Sequence, residues 1–145
     1  MPISPCPGDM RWVNPYLTVR DVDWAKAFYM KAFGFREKFS FKDQEGKSSH
    51  AELTYYDCTV MIGAEIPMNQ SFSPKSIGGT PVTIYVYTPD VDKIAQRAED
   101  AGARILQPPE DKMWGDRTCV IEDPEGHRWC FATHIKDVSP DEMKP

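Results

Sequence analysis

The chain lacks most of the features that mark a specialised class. Its 145 residues include only three histidines and four cysteines, and no two cysteines form a Cys-x-x-Cys pair. A disulfide framework therefore has no support, and Cys6, Cys58, Cys119 and Cys130 are expected to be reduced and mostly buried. No apolar run approaches the roughly 18 residues needed to cross a bilayer. The opening segment, Met1-Pro2-Ile3-Ser4-Pro5-Cys6-Pro7-Gly8, has no basic region followed by an apolar stretch, so a cytoplasmic protein is expected. Positive charge is also short: 17 Lys and Arg stand against 22 Asp and Glu, a net charge of -5. Such a field repels a phosphate backbone, and neither nucleic acid nor membrane is an expected partner. Finally, there is no Ser-His-Asp ordering, no phosphate-cradling glycine loop and no His-Glu-x-x-His helix, which leaves hydrolase, nucleotide-binding and zincin readings without a basis.

What is present is an ordinary globular composition, 41% hydrophobic and 27% charged, with seventeen aromatic rings. That is enough to build a core and still line a pocket. The order of the residues is more informative, because the chain repeats one grammar twice. Val13 to Val19 reads as a strand, and Arg20-Asp21-Val22-Asp23 turns into a helix. Positions 24, 25, 28, 29, 32 and 33 form its apolar face, Asp21 or Asp23 its cap and Gly34 its stop. In the second half Pro81 to Tyr87 alternates as a strand, Pro89-Asp90-Val91-Asp92 turns, and Ile94, Ala95, Ala98 and Ala101 make a helical stripe ending at Gly102.

Three further strands are predicted after each helix, near residues 36–41, 50–55 and 59–64 and near 104–107, 117–122 and 127–133. Asp123-Pro124-Glu125-Gly126 is a hairpin signal, since Pro124 presets its backbone angle and Gly126 relieves strain. The fold class is therefore α+β, built from two βαβββ modules. Residues 11–66 and 81–134 form the modules, 67–80 a Ser/Pro/Gly-rich linker, 1–10 a flexible N-terminus and 135–145 a C-terminal tail.

Residues 11–134 resemble the vicinal oxygen chelate superfamily, which contains glyoxalase I, bleomycin-resistance proteins and extradiol dioxygenases. The resemblance rests on Asn14-Pro15-Tyr16-Leu17 leading to Ala27-Phe28-Tyr29-Met30-Lys31-Ala32-Phe33-Gly34, then on His50-Ala51-Glu52-Leu53. It continues in Trp114-Gly115-Asp116-Arg117 and Asp123-Pro124-Glu125-Gly126-His127-Arg128-Trp129. Together these are similar to the glyoxalase-like subgroup named after a phosphonate-operon protein. The resemblance implies open, curved mixed sheets forming a cup, completed in a homodimer. It also implies one metal ligand on the first and one on the last strand of each module. Carried onto this chain, those positions are Asn14 and Thr83, with Met61 or Ile62, and Cys130. Such a donor set suits no hard cation, so no metal and no other cofactor is expected, which argues against glyoxalase I and extradiol dioxygenase chemistry.

The remaining polar candidates are His50 and Glu52, which two-residue strand spacing places on one face. The carboxylate can fix and polarise the imidazole as a general base, or the two can form a purely structural hydrogen bond. Trp114 offers a flat apolar face, and Arg117 offers a planar fork for an anion or a structural partner for Asp116 or another acid. Tyr85, Tyr87, Trp129 and Phe131 alternate along two strands expected to face the cup, with core packing expected for half of them, and Asn14 is a further candidate substrate-binding residue. His127 is expected beside a turn, and His134 at a strand end carries no expected role. The sequence thus supports a protein that binds a small organic molecule. If it is an enzyme, metal-free proton transfer or lyase chemistry is expected, with His50 as base, Glu52 orienting it and Arg117 anchoring an anion. The alternative is a sequestering antibiotic-resistance protein that holds a cationic aromatic drug without catalysis.

Overall fold

The computed structural model describes residues 2–144. It divides into two compact units, the boundary falling between Ile77 and Gly78. In the first unit the order is β1 (Tyr16–Val19), α1 (Val22–Phe33), β2 (Arg36–Lys42), β3 (Ser48–Tyr55) and β4 (Cys58–Ala64), followed by a 3-10 turn at Pro67–Asn69 and one helical turn, α2 (Pro74–Ile77). The second repeats it as β5 (Thr83–Tyr87), α3 (Val91–Asp100), β6 (Arg104–Asp111), β7 (Asp116–Glu122) and β8 (Arg128–His134). Both sheets are mixed and four-stranded, ordered β1-β4-β3-β2 and β5-β8-β7-β6, with the first and last strand of each unit parallel. This is the α+β architecture of two βαβββ modules that the repeat predicts.

Each helix begins where its cap dictates. Asp21 accepts a hydrogen bond from the Trp24 amide at 3.0 Å, and Asp90 accepts one from the Lys93 amide at 3.1 Å. Asp23, the other candidate cap, instead accepts from the Ser48 amide at 3.0 Å and ties α1 to the start of β3. Gly34 closes α1 in the left-handed conformation, φ 76°.

Helix α1 packs on β2, β3 and β4. Its Val22, Ala25, Phe28, Tyr29, Ala32 and Phe33 are buried, as are Leu17, Ala51, Leu53, Val60 and Ile62 of the sheet. Strand alternation then turns Tyr16, His50, Glu52, Met61 and Gly63 to the sheet face that carries no helix. In the second unit α3 covers β6, β7 and β8 in the same way. Here the core includes Cys119, Ile121, Trp129 and Phe131 under Val91, Ile94, Ala95 and Ala98.

This register corrects one sequence expectation. Tyr85 pairs with Cys130 and Tyr87 with Ala132. Trp129 and Phe131 therefore face the helix, fully buried, and do not share a face with the two tyrosines. Alternation within a strand sets which residues share a side, whereas the offset between strands is set by pairing across the sheet. Strand β6 also runs further than expected, through Pro108 and Pro109. As an edge strand it tolerates the missing amide donors at the cost of an irregular register between Gln107 and Glu110. Much of the expected linker is built into the first unit: Ser73 is fully buried, and its amide donates to Glu65 at 2.7 Å.

The Asp123 turn is tied to the core. Its buried carboxylate accepts from the Glu125 amide at 2.9 Å, the His127 amide at 3.0 Å and the Trp129 indole at 2.9 Å. Removing it strands three donors in a site closed to water. Asp123→Ala is expected to cost about 3 kcal/mol, measured by urea denaturation, whereas a loss below about 1 kcal/mol would show that the turn is held by its backbone alone.

Candidate functional site

Each unit carries a hydrogen-bonded cluster on its helix-free sheet face. In the first, β3 places His50 and Glu52 two residues apart, and the His50 Nε2 lies 3.2 Å from Glu52 Oε2. The neighbouring strands add two residues that the sequence reading passed over. Tyr16 on β1 brings its hydroxyl to 3.3 Å from His50 Nδ1. Lys38, in the irregular stretch of β2, lies 3.6 Å from Glu52 and 2.6 Å from Asp9. Burial costs the Lys38 ammonium some hydration, yet the hydrogen bond to Asp9 dominates and holds its pKa above the ordinary lysine value. Glu52 is half-buried, and Phe39 and Phe41 stand exposed beside the cluster.

Gly63 explains how Tyr16 reaches the imidazole. Gly63 pairs with His50 on one side and Thr18 on the other. A Cβ there would sit 2.8 Å from two ring carbons of Tyr16 and closer still to its hydroxyl. The phenol lies in the space that any side chain at position 63 would fill.

The second cluster centres on Asp116, which is only 2% exposed. Its Oδ2 accepts from the Tyr85 hydroxyl at 2.6 Å and the Tyr87 hydroxyl at 3.0 Å, and its Oδ1 lies 2.8 Å from His134 Nδ1. The Trp114 indole donates to the Tyr85 oxygen at 3.2 Å, and His134 Nε2 lies 2.7 Å from Asp137. Burial alone would raise the Asp116 pKa, but the hydrogen bonds from Tyr85, His134 and Tyr87 outweigh it and hold the carboxyl below its usual range. The Tyr85 phenol is pushed up by burial and then by Asp116, the Tyr87 phenol by Asp116 first. Both hydroxyls thus stay protonated and bonded to the carboxylate. Their rings remain exposed, as does that of Trp114.

A backbone clamp supports this arrangement. The Ile135 and Lys136 amides both donate to the Gly115 carbonyl, at 2.9 and 3.1 Å. Gly115 has φ 96°, and a Cβ there would collide with the Lys136 carbonyl. Asp116 stood in the sequence only as a neighbour of Arg117, and His134 as an isolated imidazole. The signal that joins them is the β7–β8 register, in which the two residues are paired.

Arg117 is placed elsewhere. It points to the helix side, where Nε and Nη2 grip Asp92 of α3 at 2.9 and 3.0 Å, and Nη1 meets Asp111 at 3.0 Å. Its fork is already filled, and the acids that fill it are not its neighbour Asp116. The geometry gives it to structure rather than to an anion. Asn14 precedes β1, donates to the Arg11 carbonyl at 2.7 Å, and keeps a buried Oδ1 that no protein donor reaches. Of the two last-strand alternatives, Met61 pairs with Tyr16 on the helix-free face and Ile62 belongs to the core.

The donors at the family's ligand positions do not suit a divalent ion. The first unit offers an amide and a thioether, Asn14 and Met61. The second offers the Thr83 hydroxyl and the Cys130 thiol, whose pKa burial pushes up and so away from thiolate. Among the described residues no group of three His, Cys, Asp or Glu side chains could hold a metal. Nor is any helix long and apolar enough to cross a membrane.

The duplicated βαβββ units and their open sheet faces define a vicinal-oxygen-chelate type of protein, and the sequence comparison agrees. Residues 11–131 match the Glyoxalase/Bleomycin resistance protein/Dioxygenase superfamily, and the chain belongs to it. Uncharacterised proteins of Mycobacterium bovis and Mycobacterium tuberculosis are each 40% identical over 135 residues, 91% of this chain and 89% and 79% of theirs. Among solved structures, TioX from Micromonospora sp. ML1 is similar at 34% identity with a TM-score of 0.69, covering 85% of this chain and 98% of that one. A family enzyme from Burkholderia phytofirmans PsJN, at 20% identity and a TM-score of 0.68 over 84% of this chain and 97% of its own, shares the fold.

His134 gains two carboxylate partners on folding, Asp137 first and Asp116 second, and its pKa is raised above 6.5. Its contribution to stability is complete below the unfolded value near 6.5 and is lost as the pH rises through the folded value. Thermal melts of the protein and of His134→Gln should differ most in mildly acidic buffer and converge in alkaline buffer. A gap that widens with pH would contradict this pairing.

Proposed function

We propose that the chain binds a small planar organic molecule on its ring-bearing, helix-free sheet faces, without a metal at the inherited positions. The observation that carries this reading is the wall made by Trp114, Tyr85 and Tyr87. Their polar ends are held through one buried carboxylate while their rings stay open to solvent. Such a wall is ordered before a ligand arrives, which lowers the entropy lost on binding. Phenols that donate to a carboxylate present electron-rich faces, and these favour a cationic or electron-poor ring. The chain's net charge of -5 favours the same partner. These features support sequestration of a cationic aromatic compound.

A second reading keeps proton-transfer or lyase chemistry, and the Tyr16–His50–Glu52 chain favours it, since a carboxylate-oriented imidazole is what a general base requires. Within the superfamily, the motifs from Asn14 to Trp129 support membership of the phosphonate-operon-protein subgroup as part of this proposal. A homodimer belongs to it as well, and sedimentation velocity at micromolar concentration should show a species of twice 16.5 kDa.

The binding reading is tested by titrating the protein with the planar cationic dye proflavine and following tryptophan fluorescence. Saturable quenching is expected, weakened about three- to tenfold in Tyr87→Ala and stripped of its main signal in Trp114→Phe. Arg117→Lys should lower the melting temperature and leave the dye affinity unchanged. The absence of saturable quenching would remove the reading.

A further inference from the structure

The cluster in the first unit has a direction. Carboxylates accept hydrogen bonds and do not donate them, so the His50 Nε2, 3.2 Å from Glu52, carries the proton of the neutral ring. Nδ1 is then the acceptor, and the Tyr16 hydroxyl, 3.3 Å away, donates to it. Both imidazole nitrogens are thereby engaged. The atom the cluster presents outward is the Tyr16 oxygen, which has spent its proton on His50 and keeps a lone pair to receive one.

The surroundings select what can meet that oxygen. Lys38 is shared between Asp9 and Glu52, so the three groups together leave one unit of negative charge. An anion is disfavoured there and a neutral donor is not. Phe41 pairs with His50 and Phe39 with Glu52 in the antiparallel register, and both rings are exposed, at 66% and 44%. The Phe39 ring lies 6.1 Å from the imidazole. A hydrogen-bond acceptor with a preset orientation thus stands beside two exposed apolar rings.

The geometry points to a binding subsite for a neutral hydroxyaromatic group, whose phenolic O–H donates to Tyr16 and whose ring packs against Phe39 and Phe41. His50 and Glu52 do not touch this ligand and act as positioning residues, because they consume the Tyr16 proton and so make its oxygen an acceptor. Gly63 is required for the same reason, as it leaves room for the phenol to cross β4. This subsite rests on the reading that the helix-free faces bind small organic molecules, and it adds a chemical class that the aromatic wall of the second unit does not specify.

The probes are 3-nitrophenol, predominantly neutral in buffer near neutral pH, and its methyl ether 3-nitroanisole, which has the same ring and no donor. The phenol is expected to bind saturably with the absorption band of its neutral form and about tenfold more tightly than the ether, the loss of one good hydrogen bond. Tyr16→Phe, conservative at a half-exposed position, should bring the ratio close to one while the melting temperature holds. Gly63→Ala should do the same by displacing the phenol. His50→Leu frees the Tyr16 proton to donate to the ether oxygen, so the preference should collapse or reverse, an effect that a merely structural histidine would not produce. Equal binding of both probes, weakened in Trp114→Ala and unmoved in Tyr16→Phe, would overturn this subsite and leave the aromatic wall standing. Binding of the phenolate form would also overturn it, and no saturable binding of either probe would overturn it as well.

Discussion

Covering one face of each sheet with a single helix is the constraint on which the remaining features depend. With a side-chain period of two, a strand that gives every second residue to the helix must give the others to the opposite face. On β3, burying Ala51 and Leu53 under α1 is what turns His50 and Glu52 outward together. On β8, burying Trp129 and Phe131 is what leaves Cys130, Ala132 and His134 for the other side. The chemistry-bearing residues are thus positioned by their apolar neighbours, and the most damaging changes to the clusters need not touch the clusters at all.

Two buried aspartates do most of the polar organisation in the second unit. Asp123 holds a turn and an indole, and Asp116 holds two phenols and an imidazole. A carboxylate taken from water must recover its hydration from neighbouring donors, and Asp116 draws them from β5 and β8, which lie far apart in sequence. Fixing the charge therefore fixes the strand offset. In the first unit the corresponding charges are less buried and shared more loosely among Asp9, Lys38 and Glu52.

The repeat, the helix caps and the Asp123 turn were legible in the sequence, because each depends on residues within a few positions of one another. The pairing of His50 with Glu52 was legible for the same reason. What was not legible depends on the offset between strands. Trp129 and Phe131 were grouped with Tyr85 and Tyr87 because alternation within a strand says which residues share a side, but not which side. Arg117 was grouped with the Trp-Gly-Asp run, whereas its partners Asp92 and Asp111 lie on α3 and β6. Tyr16 and His134 gained meaning only from residues across the sheet.

The backbone clamp at Gly115 has a consequence for the order in which the chain becomes competent. Synthesis runs from the N-terminus, and every group of the first cluster, from Asp9 to Gly63, is added to the chain before Tyr85. The second cluster opens with Tyr85 but stays incomplete until Lys136 has reached the Gly115 carbonyl and Asp137 has reached His134. Until then Asp116 can hold its tyrosines and His134, but the Gly115 clamp and the Asp137 partner of His134 are missing. The chain therefore holds every residue of its first cluster while the second still lacks its latch, so the last residues added are the ones that lock the aromatic wall.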